Sequence, residues 1–493
     1  MLRIYDTLQR KKVEFQPLHP PRVGMYVCGI TTYDDCHIGH ARSQVSFDVV
    51  ARWLRASGYL LTYVRNVTDI DDKIIARGIE RGEDPLALSR RYTQRMREDF
   101  AAVGILPPDH EPLATETIAE MVEMIDRMVK AGKAYAVEGD VYFAVETFAP
   151  YGRLSGQSLD DLRAGARVEA DERKRNPLDF ALWKAAKPGE PAWDAPWGRG
   201  RPGWHIECSA MSRKLLGETF DLHGGGKDLV FPHHENEIAQ SQSCAGEHTF
   251  ARLWMHNGFL NFSGEKMSKS LGNVFGIRTI CERHEGEALR WFMLSGHYRS
   301  PLSFEVERGE DGQPRFCSLE DAERKVDYVY NTRRRVAEGG GAGAPEAGAL
   351  LPEIEGFRAA FTDAMDDDFN TALALAHLEA LCAAANRLLD TPGAAAKDVR
   401  RRSLRRATAD LAWAGGVLGV GGDEPGPWLE RRRDRLAARR GLDGAEVERQ
   451  IGERTAARKA KDFARADAIR SELAARGVEL MDGPGGTSWR VVG

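Results

Sequence analysis

The sequence has few cysteines and no long apolar run. Its 493 residues include seven cysteines, an odd and sparse number without a local CxxC pair. A secreted scaffold held together by disulfides is therefore excluded, and the thiols are expected to bind metal or to pack in a core. We find no run of about 18 apolar residues and no basic-then-apolar leader, so we expect neither a membrane span nor a signal peptide. These absences predict a cytoplasmic protein.

The sequence also lacks a strong charge of either sign. It has 69 lysines and arginines against 74 aspartates and glutamates, which gives a formal net charge of -5. With 42% hydrophobic and 29% charged residues, the composition is typical of a folded chain rather than a disordered one. The length predicts about three or four domains. A nucleic-acid partner would have to meet a local basic surface.

A strand, a helix and a second strand are predicted near the N-terminus. Val23 to Cys28 is a short apolar run, an amphipathic helix follows from about His40 to Ser57, and Leu60 to Val67 is the next strand. Such a βαβ unit predicts a parallel sheet with a binding site at the carboxyl ends of its strands. The fold class is therefore α/β and Rossmann-like in this part of the chain.

The segment CHIGH at residues 36–40 lies between the first strand and its helix. Helix N-termini bind phosphate through free N–H groups and the positive end of the helix dipole. His37 and His40 can donate hydrogen bonds to charge that develops on phosphate oxygens, and Gly39 lets the backbone approach an adenine or a ribose. Considered alone, the two histidines are explained as well by a structural role in helix capping and packing as by phosphate binding.

A second motif, KMSKS at residues 266–270, is bounded by glycines. The lysines Lys266 and Lys269 on a mobile loop are suited to clamp a triphosphate in the transition state and then release it. A given five-residue string occurs by chance in a chain of this length less than about once in a thousand sequences. The alternative, a solvated charged turn, is therefore less attractive when both motifs occur in this order.

Potential metal ligands are dispersed along the sequence. His233 and Glu237 are four residues apart on a predicted helix, so they share one face and can bind one ion. His234 faces an apolar residue at that spacing and is the poorer partner. Cys28, at the end of the first strand, and Cys208 could complete a tetrahedral zinc set. By spacing alone, two buried free cysteines are the simpler interpretation.

Taken together, these motifs resemble those of class I aminoacyl-tRNA synthetases, whose two signatures look like HIGH and KMSKS. Four further phrases are similar to the cysteinyl-tRNA synthetases in particular: YVCGIT at 26–31, NVTD at 66–69, GWHIECSAM at 203–211 and FPHHENE at 231–237. The resemblance covers nearly the whole chain. It implies ligation of L-cysteine to the 3′ adenosine of tRNA(Cys), through a cysteinyl adenylate made from ATP with Mg²⁺.

The resemblance also implies the site residues. One Zn²⁺ per chain is expected on Cys28, Cys208, His233 and Glu237. ATP is expected to contact His37, Gly39, His40, Asp228, Lys266 and Lys269, of which His37, His40, Lys266 and Lys269 are the catalytic residues. Substrate cysteine is expected to contact Gly29, Thr68 and Trp204, although Trp204 could equally be a core residue.

A zinc ion would explain how the site selects cysteine over serine, which the shape of a pocket does not. Cysteine and serine are nearly isosteric, and a pocket discriminates such small differences by only about 10 to 200-fold. The substrate thiol, with a reference pKa near 8.5, can bind zinc as a thiolate, whereas the hydroxyl of serine stays protonated. We therefore expect no separate editing domain.

The predicted architecture is an α/β Rossmann-like catalytic domain with an insertion, followed by an α-helical bundle and a small mixed C-terminal domain. The predicted boundaries are 1–125 and 203–250 for the two catalytic halves, 126–202 for the insertion, 251–318 for a stem-contact region with the KMSKS loop, 319–415 for the bundle and 425–493 for an anticodon-binding domain. The last segment has 15 lysines and arginines against 11 aspartates and glutamates. Its basic runs could contact tRNA phosphates or be merely solvated, and Trp489 could stack on a base or be structural.

Two other functions compete with this prediction. A related ligase joins cysteine to a glucosaminyl-inositol but lacks the C-terminal basic domain. A noncatalytic RNA-binding or zinc-stabilised protein is the other alternative, and the intact His37, His40, Lys266 and Lys269 speak against it. We expect a monomer that meets no membrane. The remaining cysteines are expected to pack in cores: Cys36, Cys244, Cys281, Cys317 and Cys382.

Overall fold

The first apolar run folds as a strand, and a helix and a second strand follow it as predicted. The computed structural model describes residues 1–158, 172–245, 250–262, 265–266, 275–308, 314–391, 393, 395–483 and 486–491. The elements up to residue 130 are β1 (Arg3–Asp6), β2 (Lys11–Glu14), β3 (Arg22–Thr31), α1 (Ile38–Ala56), β4 (Leu60–Thr68), α2 (Asp72–Arg81), α3 (Pro85–Ala102) and α4 (Ile118–Lys130). After α1, the positive φ of Gly58, 88°, turns the chain towards β4.

An antiparallel sheet follows within the predicted insertion. Its strands are β5 (Ala134–Val137), β6 (Asp140–Phe143), β7 (Phe180–Ala185) and β8 (Gly200–Pro202), and they pair in that order. Phe143 and Phe180 stack with ring centroids 5.0 Å apart, beside the buried Trp183. The insertion therefore packs its own aromatic residues and joins the core that also contains Cys28 and Cys208.

The chain then returns to the first sheet. The elements from residue 204 to 316 are α5 (Trp204–Leu216), β9 (Phe220–Gly226), α6 (Glu235–Ala245), β10 (Ala251–Asn257), β11 (Leu260–Phe262), β12 (Glu265–Lys266), α7 (Ile277–Cys281), α8 (Gly286–Leu294), β13 (Leu302–Phe304), β14 (Val306–Arg308) and β15 (Pro314–Phe316). The central sheet has the order β10-β9-β3-β4, and all neighbours are parallel. This confirms the predicted parallel sheet. Because β3 has β4 on one side and β9 on the other, the crevice at its carboxyl end is the point where the strand order reverses.

In the described residues between 317 and 418, the α-helices are α9 (Cys317–Val336), α10 (Pro352–Glu355), α11 (Phe357–Asp366), α12 (Thr371–Asp390) and α13 (Lys397–Leu418). Asn370 is the N-cap of α12, since its side chain accepts a hydrogen bond from the backbone N–H of Leu373. By length and composition alone, α12 could cross a membrane. One face of it, including Leu378 and Leu381, is buried in the large core, as is usual for a core helix.

The C-terminal part consists of α14 (Pro425–Arg439), α15 (Gly444–Lys459), α16 (Phe463–Ala475) and a hairpin of β16 (Val478–Gly483) and β17 (Gly486–Val491). The helix α14 belongs to two cores. Trp428, near its start, stacks on Tyr330 of α9 at 4.0 Å and lies in the large core. Ala437, near its end, lies in the small core of the C-terminal unit. Thus α14 is the junction between the two.

Candidate active site

A cleft opens where the strand order of the parallel sheet reverses. Its volume is about 400 Å³, and six predicted site residues line it: Cys28, Gly29, His37, Gly39, His40 and Trp204. Asp228 also lines it, exposed in the short 3₁₀ turn Lys227–Leu229 that follows β9. The parallel topology therefore brings most of the predicted nucleotide and substrate residues to one cleft, whereas Thr68 does not line it.

The turn at residues 37–40 caps α1. The Nδ1 atom of His37 accepts a hydrogen bond from the Gly39 N–H at 3.1 Å, and Nδ1 of His40 accepts one from the His37 N–H at 3.2 Å. The two rings stack with centroids 3.7 Å apart. A neutral imidazole that accepts at Nδ1 carries its proton on Nε2, so each ring is a hydrogen-bond donor at that atom. Capping and donation to phosphate are therefore compatible.

The lysine motif is only partly described. Lys266 lies at the end of β12, where its backbone is opposite Asn261 of β11. Lys269 lies outside the described residues. The segment that follows contacts the histidine turn directly, because the Ile38 N–H donates to the Phe275 carbonyl at 3.0 Å and the Ile277 N–H donates to the Cys36 carbonyl at 2.9 Å. The chain on the C-terminal side of KMSKS is thus fixed to the start of α1.

The four predicted metal ligands lie together in the interior. Cys28 is at the end of β3 and Cys208 is on α5, with their sulfur atoms 3.7 Å apart. The Oε1 atom of Glu237 is 3.5 Å from the Cys28 sulfur and 3.1 Å from Nε2 of His233. All four side chains are at most 5% exposed. His233 lies in the turn before α6, and Glu237 lies in the first turn of that helix.

Further histidines surround this cluster, and sequence reasoning had missed or discounted them. His234 Nε2 is 3.3 Å from the Cys28 sulfur, and Cys28, His233, His234 and Glu237 offer ligand atoms that all lie within 4.8 Å of one another. The spacing of four residues made His234 the poorer partner, but His234 lies three residues before Glu237, with its Nε2 3.9 Å from Oε1 of that carboxylate. Its contact with Cys28 is made to the strand β3, which helical spacing does not describe. His223, in β9, is 2.9 Å from Oε2 of Glu237.

Two further histidines, His256 and His205, contact the rings of His234 and His233 and orient them. Nδ1 of His234 lies 2.7 Å from Nε2 of His256, whose own Nδ1 is 2.8 Å from the Thr7 hydroxyl. Nδ1 of His205 lies 2.9 Å from Nδ1 of His233. Partners of this kind fix the ring orientation of metal-ligating histidines. Their only sequence signal is that several histidines follow strands or start helices at the same sheet edge.

Burial and neighbouring charges determine the protonation of the cluster. Burial alone would raise the pKa of Glu237, but His223 and His233 lower it to about 2. Burial holds the pKa of His234 well below its ordinary value, with a further contribution from His223, and likewise lowers the pKa of His256 to about 3. Burial alone would also lower the pKa of His233, but Glu237 and Cys208 outweigh burial and raise it to about 10, so this ring carries a proton at neutral pH. Histidine binds metal as the neutral imidazole, so a metal that binds His233 has to displace that proton.

The predicted substrate residues adjoin the cluster. The Thr68 hydroxyl donates to Glu207 at 2.9 Å and lies 3.3 Å from the Asn66 amide. The Gly29 N–H donates to the Asn66 side chain at 2.8 Å, and a Cβ at Gly29 would lie 1.7 Å from the Asn66 carbonyl oxygen. Only glycine fits there. Trp204 is 38% exposed and stacks on His233 at 4.3 Å, so it is not a core tryptophan.

All seven cysteines are free thiols, and four of the five unassigned ones pack in or against a core as expected. Cys36 and Cys382 lie in the large core, with Cys281 against it, and Cys244 lies against the second core. Cys317, at the start of α9, is partly exposed.

Three family models match the chain. Residues 14–312 match the class I (C) tRNA synthetase catalytic domain, residues 360–420 match the DALR domain, and residues 431–490 match the cysteinyl-tRNA ligase anticodon-binding domain. Two solved structures are similar in fold alone. A Mycobacterium tuberculosis methionyl-tRNA synthetase in complex with methionyl-adenylate has a TM-score of 0.55 at 17% identity, with 80% of this chain and 89% of that one covered. A putative arginyl-tRNA synthetase from Campylobacter jejuni has a TM-score of 0.54 at 12% identity, with 82% and 94% covered.

Curated relatives match at much higher identity and over their whole length. The cysteine–tRNA ligase of Geobacter sulfurreducens is 51% identical over 494 residues, and that of Anaeromyxobacter dehalogenans strain 2CP-C is 54% identical over 495 residues. Each alignment covers 99% of this chain and 99% of the relative. With the catalytic and anticodon-binding models both matched, the chain belongs to the cysteine–tRNA ligases, a family of class I aminoacyl-tRNA synthetases.

Proposed function

We propose that this chain activates L-cysteine with ATP and attaches it to the 3′ adenosine of tRNA(Cys). The observation that carries the proposal is the buried set of Cys28, Cys208, His233 and Glu237 beside a cleft that starts at the capped turn 37–40. Donors suited to a soft metal and donors suited to phosphate thus adjoin one cleft. The names of the curated relatives support the same substrates.

Adenylation requires no nucleophile from the protein. The carboxylate of cysteine attacks the α-phosphorus of ATP and pyrophosphate leaves, so the chain contributes position and electrostatics. We assign the departing phosphates to His37 and His40, whose Nε2 atoms are donors, and to Lys266 and Lys269. Mg²⁺ is expected as the counter-ion of the triphosphate. We assign the adenosine to Gly39 and Asp228, which line the same cleft.

The cluster fits one zinc ion per chain. Two sulfurs, an imidazole and a carboxylate form a donor set that zinc prefers, and burial keeps water from competing. Zinc would supply a soft Lewis acid for the substrate thiolate. The chain itself holds the donors in place, since His223 contacts Glu237 and His205 contacts His233.

Thr68, Gly29 and Trp204 are assigned to the substrate cysteine. Thr68 is buried and held by Glu207 and Asn66, and Gly29, which lines the cleft, is held against Asn66, so both positions are fixed. Trp204 forms an apolar wall because its ring lies flat against His233 and is still partly exposed. A fixed wall and a fixed backbone beside it favour one orientation of a small amino acid.

Transfer completes the reaction when a hydroxyl of the terminal ribose of tRNA attacks the carbonyl carbon and AMP leaves. We assign tRNA binding to the helical region after residue 317 and to the C-terminal unit. A monomer in the cytoplasm remains our prediction.

The decisive experiment is exchange of pyrophosphate into ATP, measured with cysteine and with serine on zinc-replete and chelated protein. We expect exchange with cysteine and not with serine. Removal of the metal should abolish this exchange, and restoring the metal should recover it. Charging of tRNA(Cys) and of the glucosaminyl-inositol acceptor, measured side by side, distinguishes the related ligase. Charging of the aminosugar alone would contradict the proposal.

A further inference from the structure

Arg42 lies in the first turns of α1, just after the histidine turn. It is 1% exposed and also lines the cleft. Its guanidinium donates to the backbone carbonyls of Met293 and His297, the second at 2.8 Å, and of Tyr298 and Ser300, at 3.1 and 3.2 Å. One planar side chain on α1 therefore holds the entire segment that connects α8 to β13.

The positive charge of Arg42 is not matched by a carboxylate. Among the residues that the structure describes, no aspartate or glutamate forms an ion pair with it, and its Nε atom is buried without a hydrogen-bond partner. Burial lowers the pKa of Arg42 to about 10. A buried and unpaired cation costs stability, so a purely structural clamp would be expected to have an acidic partner.

The segment that Arg42 holds supports the opposite wall of the cleft. The Gly258 N–H donates to the Tyr298 carbonyl at 2.8 Å, and Gly258 and Leu260 line the cleft. Leu260 of β11 is paired with Leu302 of β13, two residues after the last carbonyl that Arg42 binds. A Cβ at Gly258 would lie 2.5 Å from the Ser300 carbonyl oxygen, so wall and segment are in tight contact.

We propose that Arg42 is a positioning residue for ATP. Arg42 sets the distance between the histidine turn and the wall of the cleft at Gly258 to Leu260. This inference rests on the proposed function, since it takes the cleft to bind ATP. The fork geometry of the guanidinium is what fixes the distance, because a lysine cannot reach four carbonyls in one plane. The uncompensated charge adds attraction for the anionic triphosphate.

The test separates geometry from charge. Arg42→Lys keeps the charge and loses the fork, and Arg42→Met loses both. For Arg42→Lys we expect about a tenfold weaker ATP affinity and slower exchange, because displacement of a site by about 1 Å can cost 100-fold in rate. ATP binding is measured by titration and cysteine binding by equilibrium dialysis with labelled cysteine. Cysteine affinity is expected to be unchanged in both variants.

A matched control lies on the same helix. Arg52 also donates to backbone carbonyls, those of Gly104 and Gly416, but does not line the cleft. Arg52→Lys should therefore bind ATP like the wild type. Wild-type ATP affinity in Arg42→Lys, or an equal loss of ATP and cysteine binding with a lower unfolding midpoint, would overturn the inference.

A second variant leaves Arg42 intact. Gly258→Ala pushes the wall away from Ser300 and is expected to weaken ATP binding in the same way. In the double variant with Arg42→Lys, the two losses of ATP affinity are expected to be less than additive. Additive effects would show that the two positions act independently and would refute the shared spacing. Absence of cysteine-dependent exchange in the wild type would refute the proposed function, while the ATP titrations would still decide the role of Arg42.

Discussion

His37 and His40 show how one side chain can serve the helix and the cleft at once. Each uses Nδ1 as an acceptor for a backbone N–H at the start of α1. Capping therefore selects the tautomer with the proton on Nε2, which is the donor that a phosphate oxygen requires. At the scale of single residues, local structure and chemistry determine each other in this turn.

The proposed thiolate ligands Cys28 and Cys208 allow a direct test of selectivity. Cys208→Ser replaces a soft ligand by a hard one, so we expect less bound zinc and a preference for cysteine over serine that falls towards the roughly 10 to 200-fold of a pocket without metal. Zinc content is measured by atomic absorption and discrimination by exchange with each amino acid. Cys244→Ser is the control; the Cys244 thiol lies 3.3 Å from the Met124 carbonyl oxygen. Full zinc occupancy with unchanged discrimination in Cys208→Ser would disprove the assignment.

The lysine loop is expected to act in the transition state. Lys269→Ala should lower the adenylation rate by about 100-fold, the usual cost of one lost donor to developing charge, with little change in ATP affinity. Single-turnover adenylate formation at saturating ATP measures the rate, and ATP titration measures the affinity. An effect confined to the KM for ATP would indicate uniform binding instead.

At the scale of elements, the short helix α7 is held at both ends. The N–H of its first residue, Ile277, donates to the Cys36 carbonyl beside the histidine turn. At its other end, Arg435 of α14 donates to the carbonyls of Cys281, at 3.0 Å, and His284. One five-residue helix thus connects α14, the junction to the C-terminal unit, with the start of α1.

Removal of the second attachment should loosen the C-terminal unit. Arg435→Ala leaves carbonyls at the end of α7 without their donor, so we expect faster proteolysis between α13 and α15 and a several-fold weaker affinity for tRNA(Cys). Limited proteolysis and a tRNA binding titration are the measurements. The exposed Arg440→Ala is the control. Proteolysis rates that are equal in the two variants would contradict the prediction.

The hairpin of the C-terminal unit settles the role of Trp489. The sequence left open whether this residue stacks on a base or is structural. It is 4% exposed, its Nε1 donates to Glu448 at 2.6 Å, and the guanidinium of Arg433 lies 4.7 Å from its ring centroid. A ring covered in this way is a structural residue, so base stacking has to come from other side chains.

At the scale of the whole molecule, the position at which the C-terminal unit is removed determines whether the remaining chain stays stable and active. A chain that ends at Gly441 keeps α14 with Trp428 on Tyr330, so we expect it to fold, to exchange pyrophosphate at a normal rate, and to charge tRNA poorly with a shallower salt dependence. A chain that ends at Glu424 exposes Tyr330 and should unfold at a lower temperature. Normal tRNA charging by the 1–441 chain would show that the C-terminal unit is not an anticodon reader.

The sequence by itself determined the elements that depend on local pattern. The βαβ unit and the resemblance carried by HIGH, KMSKS and FPHHENE follow from neighbours in the chain, and the architecture and the family were predicted from them. Cys28 and Cys208 were named as possible ligands, but only the resemblance favoured that interpretation over two buried free cysteines, because 180 residues separate them.

Only the tertiary structure decided which distant groups meet. The contact of His234 with Cys28, the support of Glu237 by His223 and the grip of Arg42 on the segment after α8 have no local sequence signal. The physical reason is that these contacts depend on which strand ends and loops the parallel sheet brings to one edge, whereas periodicity describes only residues within about two helical turns of each other.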